Sequence, residues 1–277
     1  MCRLFGMSGG PNRVAATFWL LEAPDSLSEQ SRREPDGTGL GYYDDHDRPV
    51  VDKQPLAAYE DRQFACEARE ARSRTFVAHV RYASTGGLKP ENTHPFEQQG
   101  RLLAHNGVIE NLPALEAELG DAMRHVQGET DSERFFALIT REIDAAGGDV
   151  GEGIGRAARW VAANLPIYAL NVVLITPTDL WALRYPETHD LFVLEREPHP
   201  GHFRSRTMRV HMPEQACVVV ASEKMDDDRG WRPLDSGQLL HVGAFLQVAI
   251  ADVLPDPPAQ LISLADLSPR AASSQQP

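Results

Sequence analysis

The 277-residue sequence is poor in cysteine, deficient in basic relative to acidic charge, and free of long apolar runs. Cysteine occurs only at Cys2, Cys66 and Cys217, an odd number at wide spacing with no Cys-x-x-Cys pair, which argues against a disulfide framework and a metal knuckle. Lys and Arg total 27 against 40 Asp and Glu, a formal net charge of −13, so phosphate backbones are repelled by the average surface and nucleic acid is not an expected partner. No apolar stretch approaches the ~18 residues of a membrane span; residues 168–176 come nearest and have strand length. The opening Met-Cys-Arg-Leu-Phe-Gly-Met-Ser lacks the basic region and the ~7–15-residue apolar core of a secretory signal. These absences lead to the expectation of a soluble, cytoplasmic protein with no membrane partner.

What is present is enough for one large folded domain. Gly and Pro, at 21 and 20 residues, fall well short of the ~25–30% that marks low-complexity disorder. No internal repeat or linker divides the chain, so residues 2–267 are expected to form one domain. Residues 268–277, rich in Ser, Gln and Ala with few apolar anchors, are expected to be a disordered tail.

Short β-like runs at residues 2–8, 38–43, 76–82 and 101–106 are each bounded by turn formers. Helical periodicity covers residues 111–119 and 132–146, the second with Phe135, Phe136, Ile139 and Ile143 on one face and Ser132 as a candidate cap, and a third helix is expected over 155–164. Strands return at 171–176, 180–185, 218–222, 239–242 and 246–251. Strands at both ends around a helical middle favour α+β layers over a βαβ alternation.

Four positions carry candidate chemistry, each with an ordinary alternative. Removal of Met1 would give Cys2 both a thiol and a free α-amine with an unperturbed pKa near ~7.7–8.0, a nucleophile and base in one residue; the alternative is an accidental Cys. Arg81 ends an apolar run, where its planar fork can clamp a carboxylate or make a structural ion pair. In Ala104-His105-Asn106-Gly107, Asn106 supplies an amide donor and Gly107 an approachable backbone N–H, together an oxyanion hole or merely an Asn-Gly hairpin. In Gly128-Glu129-Thr130-Asp131-Ser132-Glu133, Asp131 can hold a substrate ammonium, or Asp131 or Ser132 can cap the following helix.

Taken in order, Met-Cys-Arg, His79-Val-Arg-Tyr-Ala-Ser84, Glu91-Asn-Thr-His-Pro-Phe96, His105-Asn-Gly107 and Glu129-Thr-Asp-Ser-Glu133 resemble the class II glutamine amidotransferases. The segment from Ala221 to Trp231 is similar to the standalone members of that superfamily, such as the ergothioneine-pathway γ-glutamyl amidohydrolase. The resemblance implies an N-terminal-nucleophile hydrolase fold, a four-layer αββα sandwich. By motif it makes Cys2 the nucleophile, Asn106 and Gly107 the oxyanion hole, Arg81 the α-carboxylate clamp and Asp131 the α-amine partner. Ser84 stands where the family often has Thr near the same carboxylate. Two positions depart from the family motif, which has Trp in place of Tyr82 and His in place of Thr85.

The family needs no metal, and His94 and His105 read as structural residues flanking turns. Cys66, in a charged helix-like stretch, and Cys217, opening an apolar run, read as ordinary residues. Asp226-Asp227-Asp228 reads as a solvated turn before Trp231, and Arg32 to Gly37 as a charged turn leading into a strand. The leading functional expectation is an amidohydrolase cleaving glutamine or another γ-glutamyl amide to glutamate through a glutamyl thioester, without a cofactor. A glutaminase subunit feeding ammonia to a separate synthase, and a non-catalytic sensor of γ-glutamyl ligands, are the alternatives.

Overall fold

The computed structural model describes residues 2–82, 87–197 and 215–275. One seven-stranded sheet has the order β11-β9-β10-β1-β4-β2-β3, built from β1 (Arg3–Ser8), β2 (Gly37–Tyr43), β3 (Pro49–Gln54), β4 (Thr75–Arg81), β9 (Phe192–Arg196), β10 (Cys217–Ala221) and β11 (Arg232–Pro233). A six-stranded sheet has the order β13-β12-β8-β7-β6-β5, built from β5 (Phe96–Gln98), β6 (Arg101–Ile109), β7 (Ile167–Ile175), β8 (Leu180–Leu183), β12 (Gln238–Val242) and β13 (Val248–Asp252). Pairing within both sheets is antiparallel. The first sheet interleaves the two ends of the chain, since β1 lies between β4 and β10.

Strand alternation sets the layers, because successive side chains point to opposite faces. In β1, Leu4 enters the core between the sheets with Val77, Leu102, Ala104, Val173 and Val220. Phe5 and Met7 point the other way, against Trp19, Leu27 of α1 (Leu27–Gln30), and Phe64 and Ala68 of α2 (Arg62–Glu70). On the far side, Leu103, Leu170, Val172 and Leu174 pack under α3 (Leu112–Leu119), α4 (Asp131–Ala145) and α5 (Val150–Asn164). The result is the four-layer αββα sandwich implied by the motif resemblance.

At Gly39 the layers leave no room for a side chain, as an added Cβ would meet the His94 carbonyl at an impossible separation. The edge strand β3 escaped the sequence reading because Asp52 and Lys53 break its apolar pattern, as suits an edge.

The tail requires a correction. Residues 269–274 form α6 (Pro269–Ser274), capped by Ser268, whose side chain accepts from the Ala271 N–H. Ala271, Ser274 and Gln275 are buried. Two apolar anchors, Leu267 and Ala271, dock on Val108, Tyr168 and Ala169. Little apolar surface suffices here because the partner surface is preformed and small side chains allow close approach.

A second correction concerns Asp226 to Asp228. The Arg196 guanidinium donates to Asp226 Oδ2 at 2.7 Å and to Asp228 Oδ2 at 3.0 Å, and Trp231 Nε1 donates to Asp226 Oδ1 at 2.7 Å. These carboxylates are pinned by a buried arginine 30 residues away in sequence, so the segment is not a simple solvated turn.

Candidate active site

The site forms where the start of β1, the end of β4, the later part of β6 and the head of α4 meet. Arg3 of β1 is in register with Val80 of β4, so continuing the ladder by one step sets Cys2 beside Arg81 and Tyr82. The Tyr82 N–H donates to Cys2 Sγ at 3.2 Å, and the thiol donates to the Tyr82 carbonyl at 3.4 Å. Asn106 donates its Nδ2–H to the Cys2 carbonyl at 3.0 Å. Burial, reinforced by the negative charge of Glu34, pushes the Cys2 thiol up to about 11, so it is neutral at pH 7.

Strand β6 runs straight through the Asn106–Gly107 pair, which is not a hairpin turn. Gly107 is required by packing, because a Cβ there would overlap the Ala169 carbonyl of β7. The same ladder shifts register between Val108 and Ile109. That irregularity releases the Ile109 N–H, which donates to Asp131 Oδ2 at 2.9 Å. Asp131 is thereby held at the head of α4 with Oδ1 near Ser132 Oγ, at 3.5 Å.

Neither expected capping residue caps α4. Thr130 Oγ1 accepts from the Glu133 N–H at 3.2 Å, while Glu133 Oε2 accepts from the Gly128 N–H at 2.6 Å. The Ser132 hydroxyl is taken by His105 Nδ1 at 2.9 Å. His105 Nε2 must carry the proton it donates to the Ala169 carbonyl, at 3.3 Å, so its Nδ1 accepts from Ser132. Division of labour across Thr130, Asp131 and Ser132 keeps the Asp131 carboxylate available at the cavity.

Arg81 is almost fully buried and donates to the Gly87 carbonyl at 3.2 Å. Cys2, Arg81, Tyr82, Gly107 and Asp131 line one narrow cavity, completed by Thr130, Ser132 and three histidines. Cys2, Arg81, Asn106, Gly107 and Asp131 therefore come together from sequence positions up to 129 apart. Ser84 lies outside the described residues.

The histidines were underestimated by sequence reading. His105 lies within β6 and does not flank a turn. The His79 and His94 rings are 4.2 Å apart, both buried and lining the cavity. Burial pulls His79 down to about 3 and holds His94 and His105 below the usual histidine range, so all three are neutral at pH 7. His79 and His105 lie inside strands and His94 just before one, so no shared sequence signal marks them as a group. Among the described residues, no group of three or more His, Cys, Asp or Glu side chains is arranged to hold a metal ion. Among the same residues, no helix is long and apolar enough to cross a membrane.

Residues 1–256 match the family model described as glutamine amidotransferases class-II. The chain belongs to the class II glutamine amidotransferases. It is 30% identical over 255 residues to the gamma-glutamyl-hercynylcysteine sulfoxide hydrolase of Mycolicibacterium smegmatis, covering 87% of this chain and 96% of that one. A Saccharomyces cerevisiae protein named "probable glutamine amidotransferase" is 32% identical over 87% of this chain and 82% of its own. Among solved structures, a glutamine aminotransferase class-II domain protein from Silicibacter pomeroyi aligns with a TM-score of 0.63 at 21% identity, over 92% of this chain and all of that one. The protein is thus an enzyme of the class II glutamine amidotransferase type, and this family is one of amide hydrolysis.

Proposed function

We propose that the protein is an N-terminal-cysteine amidohydrolase that cleaves a γ-glutamyl amide to glutamate through a glutamyl thioester. The observation that carries this reading is that Cys2, Arg81, Gly107 and Asp131 line one narrow cavity while Asn106 donates to the Cys2 carbonyl beside it.

After Met1 is removed, the α-amine of Cys2 takes the thiol proton and Sγ attacks the substrate γ-carbonyl carbon. A base of this kind is needed because the thiol is neutral and its hydrogen bonds run to the Tyr82 backbone. The tetrahedral oxyanion is held by the Gly107 N–H and by Asn106 Nδ2, which has two N–H donors and uses one on the Cys2 carbonyl. Such a donor contributes about 2.7–4 kcal/mol. Collapse expels the amine, protonated by the α-ammonium, and leaves the thioester. Water, deprotonated by the same amine, then releases glutamate and regenerates the thiol. Arg81 clamps the substrate α-carboxylate in its planar fork, and Asp131 Oδ1 takes the α-ammonium.

The family membership and the γ-glutamyl compound named for the mycobacterial relative support this substrate class. The test is to confirm Met1 removal by intact mass and to measure glutamate released from glutamine, glutathione and other γ-glutamyl amides. Release by the purified protein is expected, with large differences in kcat/KM among leaving groups. No release from any substrate, but ammonia formation once a co-purifying synthase is added, overturns the free-standing reaction in favour of an ammonia-supplying subunit.

A further inference from the structure

Asn92, in the stretch from Glu91 to Phe96, and Glu129, at the start of the stretch ending at Glu133, meet in space at a contact that the mechanism above does not use. The Glu129 N–H donates to Asn92 Oδ1 at 2.8 Å, and Asn92 Nδ2 donates to Glu129 Oε2 at 3.0 Å and to the Gly87 carbonyl at 3.2 Å. Both amide hydrogens of this buried asparagine are therefore committed. Glu129 Oε2 also accepts from the Gly87 N–H at 3.3 Å, and Lys89 Nζ stands 3.7 Å from Glu129 Oε1.

Gly87 is thereby gripped through both its N–H and its carbonyl. That carbonyl accepts from the Lys89 N–H at 3.0 Å as well, and it is the same oxygen that receives Arg81 Nη1 at 3.2 Å. The other side of the contact is equally fixed. A Cβ at Gly128 would stand 2.7 Å from Asn92 Oδ1 and 2.7 Å from the Glu91 carbonyl, so only glycine lets the 128–129 backbone come this close. Glu129 is two residues before Asp131, and Thr130 between them caps α4. One clasp thus ties the backbone that receives the Arg81 guanidinium to the head of the helix that carries Asp131.

The carboxylate and ammonium of an amino-acid substrate sit at a fixed separation, so two protein groups that read both must keep a matching spacing. We propose that Glu129 is a positioning residue for substrate: through Asn92 and Gly87 it sets the Arg81 guanidinium relative to Asp131, and with it the affinity for the amino-acid end of the γ-glutamyl substrate. This rests on the γ-glutamyl reading above. Glu129 does not line the cavity and acts through the Gly87 carbonyl. The hydrogen bonds from Asn92 and Gly87 hold its carboxyl below the usual carboxylate range, so it stays an ionised acceptor at neutral pH.

The test compares mature wild-type protein with the Glu129→Ala, Glu129→Gln and Gly128→Ala variants on glutamine, glutathione and γ-glutamylmethylamide, by glutamate release. Glu129→Ala is expected to raise KM by about five- to twentyfold with kcat within about twofold. Glu129→Gln, which keeps an acceptor for the Gly87 N–H, should recover part of the loss. Gly128→Ala, which forces the two backbones apart and leaves the carboxylate in place, should also raise KM. The factor for each variant should be the same on all three substrates, because they share the glutamyl end. In an Arg81→Lys background, Glu129→Ala should add less than about twofold, since both changes disable one clamp. Unchanged KM for Glu129→Ala, a loss in kcat alone, a rise confined to one substrate, or a fully multiplicative effect with Arg81→Lys overturns the proposal while leaving γ-glutamyl hydrolysis intact. A wild type that cleaves none of the substrates overturns the functional reading and this proposal with it. The Glu129 side chain is 59% exposed, so its variants retain the fold, which a thermal melt checks directly.

Discussion

Two buried polar clusters in this molecule look alike in composition and differ in what their atoms do. Around Arg196, all four carboxylate oxygens of Asp226 and Asp228 receive hydrogen bonds, from Arg196, Trp231 and the local backbone N–H groups of Asp228 and Gly230. The guanidinium carbon lies 4.7 Å from the Trp19 ring centroid, so the cation is also stacked on an aromatic face. Around Cys2, by contrast, both nitrogens of the buried His94 ring and Asn106 Oδ1 have no hydrogen-bond partner among the described residues, and His94 borders the cavity. A polar cluster in which every carboxylate oxygen is satisfied, even with Arg196 Nη1 left without a partner among the described residues, holds the fold together. One that keeps unspent donors and acceptors beside a cavity is built to meet something else.

The widest separation between the clusters should come from Cys2→Ser. It is expected to lower kcat/KM by about a thousandfold or more, because the amine is a weak base for an alkoxide, with the melting temperature unchanged. A glutamate-release assay and a thermal melt on the same preparation measure both halves, and near-normal activity in the serine variant would end the thiol mechanism.

Arg196→Met tests the other cluster. It strands the mostly buried Asp226 carboxylate and the one-third-exposed Asp228 carboxylate and is expected to cost about 3 kcal/mol in a denaturant titration. The folded fraction should keep its wild-type kcat/KM. Lost activity at full stability would erase the distinction drawn between the two clusters.

Asp131→Asn is expected to raise KM by about 10–100-fold by removing the anion that faces the substrate ammonium, and Arg81→Lys to do likewise by replacing a fork with a point charge. Unchanged KM in both folded variants removes these residues from substrate binding.

The smallest effect is acid sensitivity from the histidines. An unfolded histidine takes up its proton near pH 6.5, whereas His79 in the fold stays neutral to about pH 3. The unfolded state therefore binds more protons below pH 6.5. The stability contribution is complete above that value and falls as pH drops through the window from 6.5 toward 3, by up to about 1.4 kcal/mol per pH unit for one such group. Replacing His79 with Gln should flatten the slope of unfolding free energy between roughly pH 6.5 and 5; an unaltered slope would show that other groups carry the acid response.

The strands over β1, β2, β4 and β6 and the helices α3, α4 and α5 were legible because their periodicity is strong and their boundaries are marked by turn or capping residues. The candidate site was legible as a set of motifs, and the structure gathers Cys2, Arg81, Asn106, Gly107 and Asp131. Less legible was the sharing of roles at the head of α4. Thr130, Asp131 and Ser132 can each cap a helix, and the choice among them depends on His105 and Ile109 arriving from β6. The histidine trio was obscured for the same reason, since His79, His94 and His105 are neighbours only once β4 and β6 lie in facing sheets.

The sequence by itself determined the layered α+β character, through alternation in the strands and helical spacing in the middle. It also determined the chemical inventory of the site: a thiol at position 2, a planar cation, an amide donor, a small residue in a strand and a carboxylate. Tertiary structure alone decided that the tail docks instead of fraying, with Ser273 against Tyr82 across 191 positions of sequence. It decided likewise that Asp226 and Asp228 are held by Arg196. Periodicity and capping are local, fixed by residues within a turn or two of each other, whereas the partner of a buried charge or a docked helix is chosen by which distant surfaces the fold brings within hydrogen-bond reach.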